Sequence, residues 1–213
     1  MKKVAIIDYG IGNILSVIRA FEHCGAEAIL VDNVKEIKKA DRLILPGVGA
    51  FADGMCGLQS RGLLEAIKDF VYTERPFMGI CLGMQMMLEV SEEFGLSDGL
   101  GIIPGKVAAI PQSDIAGCPH KIPHIGWNEL LKPSSRIGWN NTILDGLEPG
   151  VSTYFIHSFA AFPSNPENCL AECNYNGWVF SAAIRYNQIY GCQFHPEKSG
   201  VVGLKIIQNF LNL

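Results

Sequence analysis

The sequence predicts an α/β protein: a mostly parallel central sheet covered by helices, with additional short antiparallel strands in the second half. Three observations predict it. The first half alternates short apolar runs with segments of helical spacing. Those runs are continuous rather than alternating, as in strands buried on both faces. From residue 107 onward, short runs are separated instead by Pro, Asn and Gly.

Residues 3–8 form the first apolar strand. Ile14, Leu15, Val17, Ile18 and Phe21 follow at helical spacing, and Asn13 stands where a cap is needed. Residues 28–31 and 42–45 are the next strands, the latter ending at Pro46-Gly47. Residues 63–71 read as a helix, 76–80 as a strand and 82–90 as a helix. Strands joined through helices imply a parallel sheet. Residues 107–110, 129–131, 153–159, 170–173, 179–185 and 189–194 read as short strands. A last helix, 201–211, returns the chain to the sheet with Ser199 as its cap.

A chain of 213 residues predicts a single domain spanning 1–213. Hydrophobic residues are 48%, enough for a sizeable core, and charged residues only 18%, so much of the chain is buried or at an interface. A net charge of −4 with no Lys/Arg run argues against a nucleic-acid partner. Lys2 and Lys3 precede an apolar run that stops at Asp8, too short for a signal peptide, and no apolar stretch suffices to cross a bilayer. Seven cysteines, an odd count without disulfide-like spacing, point to the cytoplasm.

Gly79-Ile80-Cys81-Leu82-Gly83 carries the chemistry. A nucleophile between a strand and a helix needs glycines beside it, because the backbone turns sharply and its neighbours pack close. The helix N-terminus favours thiolate over thiol, and the Leu82 N–H is aimed where an oxyanion would form. Seen alone, a buried structural cysteine is nearly as common. His195-Pro196-Glu197 shifts the balance: a thiol needs a base, and the base needs an orienting group. His195 ends an apolar strand, where parallel sheets present their functional edge.

Pro46-Gly47-Val48-Gly49 closes another strand, and its backbone N–H groups can supply an oxyanion donor or hold a substrate carboxylate. Gln85 lies one helical turn after Cys81, on the same face, and can hydrogen-bond an amino-acid substrate. For both segments the bland alternative, an ordinary turn or an exposed glutamine, weighs as much or more in isolation. Asp8 to Asn13 starts like a dinucleotide fingerprint, but Leu15 occupies the third glycine position, so no cofactor is expected. Cys118, His120 and His124 lack a fourth ligand at a standard spacing, so no metal is expected either. Cys169 and Cys173 read as packing residues on a strand and its edge.

GICLGMQ (79–85) with QFHPEKS (193–199) resembles the class I glutamine amidotransferases. IDYGIGN (7–13), LPGVGAF (45–51) and IPHIGWNEL (122–130) resemble the branch that serves imidazole glycerol phosphate synthase. The likeness spans nearly the whole chain. It implies a flavodoxin-like sheet and a triad of Cys81, His195 and Glu197 that releases ammonia from glutamine. It also implies a (β/α)8-barrel cyclase partner that consumes the ammonia in histidine biosynthesis. Gly47, Val48, Gly49, Leu82 and Gln85 would hold glutamine and its oxyanion, and Asn13 and Trp127 would lie near the cyclase-facing surface. Three alternatives stand beside this: a glutaminase for a related synthase, a stand-alone thiol hydrolase, and a non-catalytic module on the same scaffold.

Overall fold

A computed structural model describes residues 2–213; Met1, included in the expected domain, lies outside the described residues. The first half alternates as expected. β1 (Lys2–Ile7), α1 (Ile14–His23), β2 (Ala26–Val31), α2 (Val34–Lys39) and β3 (Leu43–Leu45) are followed by α3 (Phe51–Ser60) and α4 (Leu64–Val71). β4 (Phe77–Ile80) then leads into α5 (Leu82–Met86). The second half holds β5 (Val90–Ser91), β6 (Ser97–Asp98), β7 (Gly105–Ala109), β8 (His124–Glu129), β9 (Ser152–His157) and β10 (Phe159–Pro163). β11 (Cys169–Tyr175), β12 (Trp178–Tyr186), β13 (Ile189–Cys192) and α6 (Gly200–Asn212) complete it.

The central sheet runs β11-β12-β13-β4-β3-β1-β2. The pairs β13–β4, β4–β3, β3–β1 and β1–β2 are parallel, and β11–β12–β13 is antiparallel. Side chains alternate through this sheet into two cores. Val4 and Ile6 pack with Phe21 of α1 and Phe210 of α6, whose rings meet edge-on at 6.2 Å. Ala5 and Ile7 face the other way, against Phe51, Ile67 and Phe70. Smaller sheets, β10-β7-β5-β6 and β8-β9, flank the central one. No helix among the described residues is long and apolar enough to cross a membrane. All seven cysteines are unpaired, and Cys169 and Cys173 are buried within β11.

Several elements depart from expectation. The helix expected over 82–90 stops at Met86. Segment 99–103 docks there: Leu100 N–H donates to the Met86 carbonyl (2.8 Å), Ile102 N–H to Met87 (2.9 Å) and Gly101 N–H to Leu88 (3.0 Å). These carbonyls find partners outside the helix, so no further turn forms. The strand expected at 129–131 is β8, shifted upstream, where His124 to Glu129 pair with His157 to Ser152. The expected strand 153–159 divides at Ser158 into β9 and β10, which belong to different sheets. Neither named cap acts as one. Asn13 Oδ1 accepts the Ser16 hydroxyl (3.0 Å). Ser199 Oγ donates to the His195 carbonyl (2.7 Å) and accepts the Tyr154 N–H (3.0 Å).

The start of α5 lies hard against the end of β3. A Cβ on Gly83 would collide with the Leu45 carbonyl oxygen, and one on Gly79 would come within 2.6 Å of both the Gly83 carbonyl oxygen and Met87 Sδ. Backbone cannot give way as a flexible side chain can, so Gly83→Ala should lower the unfolding free energy by about 2 kcal/mol or more. Gly138, with open space around its Cα, is the control, and Gly138→Ala should change it by under about 0.5 kcal/mol. Urea denaturation of the two variants measures the contrast, and equal losses would refute the packing argument.

Candidate active site

β4 and β13 run side by side, and both functional segments leave from their C-terminal ends. Cys81 follows β4 with φ +54° and ψ −110°, a conformation L-residues rarely adopt. Its N–H is fixed to the Cys192 carbonyl (2.7 Å). The turn lifts the side chain to the floor of a cavity of about 280 Å³, where it is 6% exposed. Sγ lies 3.9 Å from the Ile156 carbonyl oxygen.

His195 comes three residues after β13 rather than at the strand's end. Its N–H donates to the Tyr154 carbonyl (2.9 Å), which ties the turn to β9. Pro196 starts a 3-10 turn that brings Glu197 back under the ring. Nδ1–H donates to Glu197 Oε1 at 2.7 Å, with both side chains almost wholly buried. Glu197 Oε2 and His195 Nε2 are buried without hydrogen-bond partners. Burial opposes a charge on the imidazole, but the Cys81 sulfur and the Glu197 carboxylate outweigh it, and the His195 pKa rises from 6.5 to about 9. Nε2 is not aligned for a full hydrogen bond to the sulfur at rest, yet a hydrogen-bonding interaction with Cys81 is the largest of the causes that raise the ring's affinity for a proton.

Cys81 and His195 line one cavity together with Val48, Gly49, Leu82 and Gln85. Glu197 sits behind His195. Gly47 does not line the cavity: a Cβ there would come within 2.6 Å of the Tyr9 hydroxyl. Its carbonyl accepts the Leu82 N–H (3.3 Å), so the donor expected to await an oxyanion is engaged. Gln85 is buried rather than exposed, and both hydrogens of its amide are spent, on the Phe159 carbonyl (2.9 Å) and Gln193 Oε1 (3.0 Å). Asn13 is exposed in the loop after β1, at the same sheet edge as Cys81. Trp127 is 58% exposed on β8, with Ile125 and the β9 residue Ile156 also exposed.

The sequence reading missed Glu93, His157 and Lys198, all of which line the cavity. Glu93 Oε2 also accepts the Phe51 N–H (2.7 Å) at the start of α3. Nothing local in the sequence marks Glu93, because 42 residues separate the partners. His157 Nδ1–H donates to the Phe159 carbonyl (2.8 Å), so its Nε2 accepts from His124 Nδ1–H (3.0 Å). Burial holds both rings neutral, His124 down to about 4 and His157 down to about 3. His124 is thus a buried partner of His157. A second cavity, about 330 Å³ between Lys68, Tyr72, Gly101 and Tyr186 near the start of β13, is lined by no cysteine, serine, threonine or histidine.

A thiol on a strand-to-helix elbow, facing an imidazole backed by a carboxylate at the C-terminal edge of a parallel sheet, defines a class of α/β enzymes with a cysteine nucleophile. The chain belongs to the class I glutamine amidotransferases: that family, Glutamine amidotransferase class-I, matches residues 5–213. It is 54% identical over 213 residues to imidazole glycerol phosphate synthase subunit HisH 1 of Legionella pneumophila (strain Lens), covering 100% of each chain. It is 44% identical over 211 residues to the HisH subunit of Geobacter sulfurreducens, covering 99% of this chain and 98% of that one. The fold is similar to PurLQS from Thermotoga maritima, with a TM-score of 0.73 at 19% identity over 100% and 99% of the two chains. It is also similar to the glutaminase domain of Trypanosoma brucei CTPS, with a TM-score of 0.63 at 16% identity over 99% and 92%.

The histidines give stability a signed pH dependence. Below pH 6.5 the unfolded chain protonates His124 and His157 while the folded chain does not. Their contribution is full above pH 6.5 and should fall by on the order of 3 kcal/mol between pH 6.5 and 5. His195 acts oppositely: its contribution is full below 6.5 and is lost as the pH rises through about 9. Denaturant titrations at pH 5, 6.5 and 9 check both limbs, and no loss between 6.5 and 5 would contradict the neutral pair.

Proposed function

We propose that this chain is the glutaminase subunit of an imidazole glycerol phosphate synthase, acting as one domain in the cytoplasm. It hydrolyses glutamine to glutamate and passes the ammonia to a (β/α)8-barrel cyclase subunit. That subunit makes imidazole glycerol phosphate and aminoimidazole carboxamide ribotide in histidine biosynthesis. The observation that carries this is full-length 54% identity to a relative of that name. The meeting of Cys81, His195 and Glu197 at one site supports the chemistry.

In the proposed mechanism His195 Nε2 takes the Cys81 thiol proton, and Sγ attacks the side-chain amide carbon of glutamine. A C–S bond forms, and the carbonyl π pair moves to oxygen. The imidazolium of His195 protonates the amide nitrogen, the C–N bond breaks, and ammonia leaves a γ-glutamyl thioester. Neutral His195 then takes a proton from water. The hydroxide adds to the thioester carbon, the C–S bond breaks, and glutamate departs with Cys81 restored. Glu197 fixes the Nδ1 tautomer, which turns Nε2 toward the sulfur. Glu93 and Lys198, of opposite charge at the cavity wall, suit a zwitterionic amino acid. The engaged Leu82 N–H means that the Gly47 carbonyl must move before an oxyanion finds that donor. The exposed Ile125, Trp127 and Ile156 offer the cyclase an apolar contact beside the Tyr154–His195 bond.

Cys81→Ala should reduce glutamine hydrolysis by about 10³-fold or more while the assembled synthase keeps its ammonia-dependent activity. Steady-state assays with glutamine and with ammonium salts separate the two, and retained glutaminase turnover would defeat the assignment. Adding the barrel subunit should strongly raise the glutaminase rate; an unchanged rate would favour a stand-alone hydrolase. Glu197→Gln should lower kcat less than His195→Ala, because orientation contributes less than proton transfer. Equal or reversed losses in the same assay would contradict those roles.

A further inference from the structure

Gln193 is completely buried and does not line the substrate cavity. Its side chain nevertheless reaches the nucleophile, with Nε2 3.8 Å from Cys81 Sγ. The orientation of its amide follows from the network around it. The Phe159 carbonyl oxygen can only accept. It takes Nδ1–H of His157 at 2.8 Å and Nε2–H of Gln85 at 2.9 Å. Gln85 must therefore present its NH₂ group on that side, and its second hydrogen points at Gln193 (3.0 Å). Gln193 must answer with its oxygen, which leaves its own NH₂ facing the sulfur. The carbonyl of Phe159, the first residue of β10, thus decides that Cys81 meets a donor rather than an acceptor.

The other close group is of opposite character. The Ile156 carbonyl oxygen, 3.9 Å from Sγ, suits the thiol hydrogen and repels a sulfur anion. An anion formed at Cys81 keeps the Gln193 N–H as a contact held by the protein core, beside the His195 imidazole across the cavity.

We infer that Gln193 is a further catalytic residue of the glutaminase site, whose amide N–H stabilises the Cys81 thiolate and is held in that orientation by Gln85. This rests on the assignment of Cys81 as the nucleophile. Because Gln193 lies outside the cavity wall, its effect runs through the sulfur and not through contact with glutamine. Gln85 therefore acts twice, as a cavity residue and as the positioning residue for Gln193.

The test uses the full chain and iodoacetamide, with alkylation of the Cys81 peptide followed by mass spectrometry, since Cys56 and Cys118 are exposed and react as well. Gln193→Met keeps the length and removes the donor. It should slow Cys81 alkylation at pH 7 by about tenfold and move its pH profile upward. Gln193→Glu should slow it further, because a carboxylate then faces the sulfur. In the assembled synthase, Gln193→Met should lower kcat for glutamine with KM within about twofold of the parent. Unchanged alkylation profiles in both folded variants would overturn the inference. Should neither variant fold, the parent chain decides: the Gln193 side-chain amide signals in NMR must titrate together with Cys81 alkylation and stay flat in Cys81→Ala. A flat response in the parent chain also overturns it. A Cys81→Ala chain that still hydrolyses glutamine would instead sink the glutaminase assignment, whatever Gln193 does.

Discussion

The contact between the Gly83 backbone and the Leu45 carbonyl holds the site together. It lets α5 begin immediately beside β3, directly after the positive-φ turn at Cys81. That conformation directs Sγ upward into the cavity instead of into the sheet. The Pro46–Gly49 turn leaves β3 at the same level, so Val48 and Gly49 face the sulfur without any long-range device. On the other side of β4, β13 delivers His195 by the same logic of parallel neighbours ending together. The constellation is assembled from strand ends, each placed by the register of the central sheet.

Charge at the site is partitioned among three histidines that differ chiefly in their neighbours. His195 has a carboxylate behind it and a sulfur before it, and it favours the proton. His157 and His124 have each other, a backbone carbonyl, the Asn128 amide and aromatic rings but no carboxylate partner, and they stay neutral. A cation on His157 would face His195 directly. Its neutrality keeps a second positive charge away from His195.

Much of this was legible in the residues. The parallel strands announced themselves as continuous apolar runs, and the elbow as Gly-x-Cys-x-Gly. His195 and Glu197, which alone would more commonly mark a surface loop, read as a pair beside that elbow, and their side chains do meet. What escaped depended on distant partners. α3 contains Gly54 and Gly57, poor helix residues, yet Gly54 is needed where Met86 packs and Gly57 where Tyr9 does. Its first N–H is satisfied by Glu93, far along the chain. α2 did carry a local sign, Asn33 with Glu36 three residues on, whose backbone N–H Asn33 accepts (3.1 Å). α5 looked longer than it is because the residues after Met86 are helix formers, and only the docked segment 99–103 shows why they turn away. Gln85 looked like a surface residue because its partners, Phe159 and Gln193, arrive from 74 and 108 residues away.

Ser199 illustrates how a residue chosen for one task serves another. Its hydroxyl bridges the Tyr154 N–H and the His195 carbonyl, while the His195 N–H returns to the Tyr154 carbonyl. The closed loop of three bonds ties the β8–β9 ribbon to the backbone of His195. A displacement of that ribbon would be felt first at the main chain that carries the imidazole, through one serine oxygen and one amide.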